Sequence, residues 1–149
     1  MRLSSFSDYS LRVLMYLGVH AGRLTTIAEI AGAYGISDNH LMKVVHQLGR
    51  MGYIETLRGK GGGIRLGKLP TEIRLGDLIR RTETDLALVE CFSGGNDCRI
   101  LAACRLPPIF AAALEAMFGV LDNCTLADLL QHPGELSQVL GTASAPCQG

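Results

Sequence analysis

The sequence predicts a mostly α-helical protein: a winged helix-turn-helix domain with a two-stranded wing, then a cysteine-bearing loop and a long apolar helix. Three observations carry that expectation. Two capped helical patterns are separated by a single glycine turn at Gly35-Ile36. A period-two stretch, Tyr53–Leu57, is followed by the glycine turn Arg58–Gly63 and a return segment, Ile64–Leu66. Beyond residue 81 the character changes from basic to acidic, and three cysteines occur within fourteen positions.

The elements follow in order. Residues 5–20 place Phe6, Tyr9, Leu11, Val13, Leu14 and Leu17 at helical spacing, with Ser5 or Ser7 as candidate caps and Gly18 and Gly22 near the end. Thr25-Thr26 is placed to cap a short second helix with an apolar stripe of Ile27, Ile30 and Ala31. Ser37 is placed to cap a third, in which Leu41, Val44, Val45 and Leu48 face inward. Helix, glycine turn and capped helix make the helix-turn-helix pattern. The hairpin after it supplies the wing. Another helix is expected from Leu75 to Arg81. Residues 91–104, rich in Gly, Asn and Asp, read as a loop. Pro107-Pro108 then starts a helix to about 121, followed by a short capped one, TLADLLQ. The expected division is 1–81 winged helix, 82–106 loop, 107–131 dimerisation region and 132–149 a flexible tail. The long helix carries Ile109, Phe110, Leu114, Met117, Phe118 and Leu121, a stripe that is either the core of this half or, the favoured reading, an exposed seam that pairs two copies.

At 149 residues and 48% hydrophobic, the chain can bury one core. No apolar run reaches the roughly 20 residues of a membrane span. Asp8 and Arg12 interrupt the apolar N-terminal stretch, which argues against a signal peptide, so a cytoplasmic protein is expected. The net charge of zero hides a split. Residues 1–81 hold twelve Lys/Arg and six Asp/Glu, a balance of +6, and residues 82–149 hold two and eight, a balance of −6. A basic half points to a polyanion, here double-stranded DNA.

The leading turns of the third helix enter the major groove in such a module, which nominates Ser37, Asp38, Asn39, His40 and Lys43. Asn39 suits an adenine edge, and Lys43 suits guanine or phosphate. Ser37 is equally suited to capping alone, and His40 to an ordinary surface position. His46, on later turns, reads as packing or solvated. Around the wing glycines stand Arg58, Lys60 and Arg65, suited to phosphate or a narrow minor groove. The turn GKGGG does not match the phosphate-cradling GxxxxGK[ST] loop.

Cys91, Cys98 and Cys104 are spaced C-x6-C-x5-C. Three thiolates can hold zinc or an iron–sulfur cluster, or serve as a redox switch with no metal. The spacing is wider than the usual zinc pattern and suits a cluster. Cys124 and Cys147 are further thiols, with a buried structural role the default for Cys124.

The segments LSSFSDYSLRVLMYL, RGKGGGIRLGK, LDNCTLADL and CRLPP, with the order of elements, resemble the winged-helix iron–sulfur transcriptional regulators that include IscR and NsrR. The resemblance spans roughly residues 1–131 and is nearest the NsrR branch of nitric-oxide-sensing repressors. It implies an iron–sulfur cluster, [4Fe–4S] in preference to [2Fe–2S], held by Cys91, Cys98 and Cys104. It implies Asp8 from the other protomer of a homodimer as fourth ligand, steadied by Arg12. Nitric oxide would release that tie and free the operator. IscR-like members carry a histidine three positions after the third cysteine; here Pro107 stands there and cannot ligate.

An enzyme is not expected. His20, His40, His46 and His132 show no ligand spacing, and the carboxylates form no evident acid–base pair.

Overall fold

The computed structural model describes residues 2–92 and 98–142. Seven α-helices are formed among them: α1 (Ser5–Val19), α2 (Ile27–Tyr34), α3 (Asp38–Arg50), α4 (Leu75–Thr82), α5 (Leu106–Asp122), α6 (Leu126–Leu129) and α7 (Pro133–Thr142). Two strands, β1 (Ile54–Leu57) and β2 (Gly63–Leu66), pair antiparallel after α3. Short 3-10 turns, not anticipated from the sequence, cover Pro70–Glu72 and Glu90–Phe92.

The local chemistry explains the boundaries. Ser4, not Ser5 or Ser7, caps α1, its hydroxyl accepting from the Ser7 N–H at 3.2 Å. Thr26 caps α2 through the Glu29 N–H at 3.2 Å. Gly35 closes α2 at φ 65°, a left-handed position where a side chain would be strained. Ser37 then restarts the helix, accepting from the His40 N–H. The α2–turn–α3 unit is therefore set by three residues in sequence.

Its core is closed by residues of α1, α2 and α3. Val13, Leu14, Ile30, Leu41 and Leu48 are fully buried, and α3 turns inward the four residues of its apolar stripe. The wing joins this core through Ile54 and Ile64. It is also stitched to the α1–α2 connection: the Thr25 and Ile64 N–H groups each donate to the other's carbonyl, at 3.0 and 2.8 Å.

The second half differs from expectation in three places. Pro107 and Pro108 lie within the first turn of α5, which begins at Leu106; the first turn requires no N–H donors there, so proline is tolerated. The stripe expected to be exposed is largely turned in. Phe118 is buried beneath the Arg80 guanidinium, 4.1 Å from its ring centroid. Phe110, Leu114, Met117 and Leu121 are half-buried. Leu106, Ile109, Ala113, Ala116 and Val120 are instead exposed, spaced three and four apart on one helical face, with Ala111 and Ala112 exposed beside them.

The stretch from Pro133, expected to be part of a flexible tail, forms α7 up to Thr142. It packs on α1 and α2 and brings Leu140 into the core. Proline fits the start of that helix, and Leu136 and Leu140 lie one turn apart. Two apolar residues without a strong cap were too weak a pattern to read. Residues 143–149, including Cys147, lie outside the described residues.

Candidate functional site

The recognition surface is built by α3. With Leu41, Val44, Val45 and Leu48 buried, the opposite face presents Asp38, Asn39, His40 and Lys43, all exposed. Ser37 is exposed and engaged as the α3 cap. Asp38 also complements the positive end of the helix. The His40 ring lies against Tyr9 of α1, centroids 6.3 Å apart. Met42, 50% exposed on the same surface, was not singled out from the sequence. Its signal was available: an apolar residue that falls off the register of positions 41, 44, 45 and 48.

The wing tip carries Arg58 and Lys60, both exposed. Gly59 and Gly61 take φ of 103° and 77°, and a Cβ at Gly62 would overlap the Leu57 carbonyl. The tight turn thus requires these glycines and leaves the cations projecting from a small tip. Arg65 is placed differently. Strand pairing sets it opposite Glu55, and its Nε and Nη2 both reach the Glu55 carboxylate at 2.9 Å. This pair occupies one face of the hairpin; Ile54, Thr56 and Ile64 occupy the other, toward α3.

The thiols lie on the opposite half. Cys91, in the 3-10 turn, and Cys104, just before α5, are half-buried; Cys98 is exposed. None of these three, nor Cys124, forms a disulfide. Successive turns order 98–104: the Leu101 N–H donates to the Cys98 carbonyl at 3.1 Å, and the Cys104 N–H to the Leu101 carbonyl at 3.3 Å. Gly94 and Gly95 lie outside the described residues. Ile100, Leu101, Leu106 and Ile109 are exposed beside the thiols, so this is an apolar surface as well as a sulfur-bearing one.

Asp8 stands on α1, its carboxylate 2.9 Å from Arg12 Nε, with both side chains nearly half exposed. It lines a cleft with Tyr9, Arg12 and Tyr34, to which no cysteine contributes. Arg12 lies over the Tyr34 ring at 5.7 Å, and burial pushes the Tyr34 hydroxyl up to about 12. Among the described residues no three His, Cys, Asp or Glu side chains converge in a metal-ready group. The donor chemistry nevertheless fits an iron–sulfur cluster: three thiols outside any disulfide and one partly exposed carboxylate. Within one protomer Asp8 belongs to a different surface, as a ligand contributed across a dimer would.

The loop bearing the thiols is anchored to α1 at its start. The Ser4 N–H and hydroxyl donate to Glu83 Oε1 at 2.8 and 3.1 Å, and Ser7 and Thr82 share a buried 2.7 Å hydrogen bond. Burial alone would raise the Glu83 carboxyl, but hydrogen bonds from Ser7 and Ser4 outweigh it and hold it below the usual range.

This arrangement matches the Rrf2 family model, described as an iron-dependent transcriptional regulator, over residues 3–132. The chain belongs to the Rrf2 family. It is 49% identical over 142 residues to the HTH-type transcriptional regulator NsrR of Geobacillus kaustophilus, covering 94% of this chain and 97% of that protein. It is 46% identical to NsrR of Bacillus subtilis, covering 94% and 97%. Among solved structures, IscR of T. potens superposes with a TM-score of 0.72 at 25% identity, covering 91% of this chain and 90% of that one. CymR, the global cysteine regulator of B. subtilis, superposes with a TM-score of 0.66 at 28% identity, covering 87% and 95%. Rrf2 proteins with different names share this architecture, so the fold does not select the signal; the residues of the loop must. Among the described residues no helix is long and apolar enough to cross a membrane.

Proposed function

We propose that this Rrf2 protein is a homodimeric repressor that binds double-stranded operator DNA and responds to nitric oxide through an iron–sulfur cluster. The observation that carries the reading is the loop between the winged helix and α5. It presents three thiols free of disulfides in a chain 49% identical to a regulator named NsrR. Cys91, Cys98 and Cys104 hold the cluster, and Asp8 from the other protomer completes it. The [4Fe–4S] form is preferred and [2Fe–2S] is the alternative. The reading takes the protein as cytoplasmic, where thiols stay reduced.

When bound, the cluster supplies iron with which nitric oxide reacts. The chain's own residues convey the consequence. Tyr9 follows Asp8 and rests against His40, so the ligand-bearing turn of α1 touches the leading turn of α3. Letting go of Asp8 allows that turn and the recognition helix to shift, and the operator is released. Asn39, His40, Lys43 and Met42 face the bases, with Asp38 at their edge, while Ser37 holds the helix start. Arg58 and Lys60 approach phosphates or the minor groove. Arg65 braces the wing through Glu55. The dimer forms along Leu106, Ile109, Ala113, Ala116 and Val120, whose spacing suits a helix–helix seam with close approach at the alanines. The division 1–81, 82–106 and 107–131 then separates DNA reader, sensor and dimer helix.

The test is an anaerobic absorbance spectrum with a nitric oxide titration, followed in parallel by fluorescence anisotropy of a labelled duplex selected for tight binding. A brown protein that bleaches and lets go of the duplex together is expected. A protein that stays colourless after reconstitution with iron and sulfide overturns the cluster. Cys91, Cys98 and Cys104 would then act as a metal-free thiol switch.

A further inference from the structure

Between α3 and β1 lies a notch of about 310 Å³, walled by Val45, His46, Gly49 and Arg50 of the helix and Ile54 and Thr56 of the strand. Val45 and Ile54 form its buried floor; His46, Arg50 and Thr56 are exposed at its rim. Among the described residues no carboxylate lines it. His46 and Arg50 are one helical turn apart and share a face of α3. Thr56 joins them because the pairing Thr56↔Ile64 lies on the α3 side of the hairpin, whereas Glu55↔Arg65 lies on the other.

Where that notch falls follows from DNA geometry. A recognition helix in the major groove and a wing in the adjoining minor groove straddle the sugar-phosphate backbone that separates the two grooves. That backbone has to cross between α3 and β1. We infer that His46, Arg50 and Thr56 form a phosphate seat that fixes the register of the winged helix on double-stranded DNA. The inference rests on the DNA-binding reading and goes beyond the base-facing residues and wing cations named above. Arg50 supplies a fixed charge and a planar set of donors; the Thr56 hydroxyl and a His46 ring N–H supply further ones. Gly49 keeps the seat open. A Cβ there would lie 3.8 Å from the Ile54 carbonyl oxygen, an ordinary contact, so alanine fits but takes up space in the notch. The seat also explains which cation near the wing is available: Arg65 is held by Glu55 on the far face, and Arg50 stands on the near one.

The experiment is a salt series of fluorescence anisotropy titrations, using the intact protein and a labelled mixed-sequence duplex. For the wild type, log affinity falls linearly with log salt. Arg50→Gln is expected to weaken binding and to lower that slope by about 1 for each protomer engaged. Thr56→Val is expected to weaken binding at nearly unchanged slope, because a hydroxyl releases no counterion, and His46→Ala is expected to weaken binding. Gly49→Ala is expected to weaken it with the charge intact. Arg74→Ala, which removes the same charge beside α4, is expected to leave the slope alone. An Arg50→Gln slope equal to wild type overturns the seat while leaving DNA binding standing. So does an equal fall in Arg74→Ala, which would make the effect one of net charge. If Arg50 served only the negative end of α3, Arg50→Gln would lower the melting temperature without touching the slope, and the seat would be wrong. Failure of the wild type to bind duplex at any salt overturns the DNA-binding reading and the seat together.

Discussion

The two halves of this chain solve burial in different ways. Residues 1–81 carry +6 and supply most of the core, with Leu14, Ile30, Leu41 and Leu48 fully buried, and Leu126 of α6 and Leu140 of α7 complete it. Residues 82–149 carry −6. Their longest helix buries Phe118 but leaves Ile109 61% and Val120 65% exposed. The first half buries its core within the chain, with α6 and α7 closing it, and presents charge to a polyanion. The second leaves an apolar seam on α5 and an exposed Cys98, the features on which the proposed dimer and cluster rest. A sensor is well served by that difference, because a rigid reader is joined to a segment whose environment a ligand can change.

The comparison can be broken most sharply at the sulfur. Cys98→Ala is expected to abolish the visible absorbance and the nitric oxide response while leaving the winged helix folded. A circular dichroism spectrum beside the absorbance spectrum checks both; a brown Cys98→Ala protein would remove Cys98 from the ligand set. Next is the seam. Ile109→Glu with Val120→Glu is expected to convert dimer to monomer in sedimentation, since two charges would be buried in an apolar contact. An unchanged dimer would place the interface elsewhere.

The core of the first half should respond through stability alone. Leu41→Ala is expected to cost about 3 kcal/mol in denaturant unfolding, by lost burial and a residual cavity. A cost below about 1 kcal/mol would mean that the core there is looser than its burial indicates.

The join between the halves is weaker. Glu83→Gln is expected to cost about 1 kcal/mol at neutral pH, a hydrogen-bond-sized loss. The sign of its pH dependence follows from the depressed carboxyl. Its contribution is present above the ordinary carboxylate range and is lost as pH falls through the folded-state value. Melting curves of wild type and Glu83→Gln should therefore converge in acid; a constant gap would mean that Glu83 does not act through its charge. The smallest effect is expected at the wing. Glu55→Gln should change stability by less than about 1 kcal/mol, because the pair is solvent-exposed. A larger loss would make the pair a structural requirement of the wing.

Much of the first half was legible because its signals are local. Ser37, Gly35 and the stripe Leu41, Val44, Val45, Leu48 each act within a turn or two of themselves, and so do the wing glycines. Helix α7 was not legible, because Leu140 is anchored by α1 and α2, far away in sequence. Arg65 and Arg50 show the same limit at the candidate interface. Both are basic residues close to the wing, and only strand register separates the one bound to Glu55 from the one at the notch.

By itself, then, the sequence determined the helix-turn-helix, the wing, the basic and acidic halves, and the presence of three neighbouring thiols. All of these depend on residue type, caps and short-range periodicity. The tertiary structure decided which face of α5 is left uncovered. The chain holds two apolar stripes on that helix, one through Leu114, Met117 and Phe118 and one through Ile109 and Val120. Periodicity cannot rank them, because each is a valid helical face. The first is drawn onto α4 and the segment after it, where Arg80 covers Phe118 and pairs with Asp122 at 2.8 Å. The second is what remains for a partner.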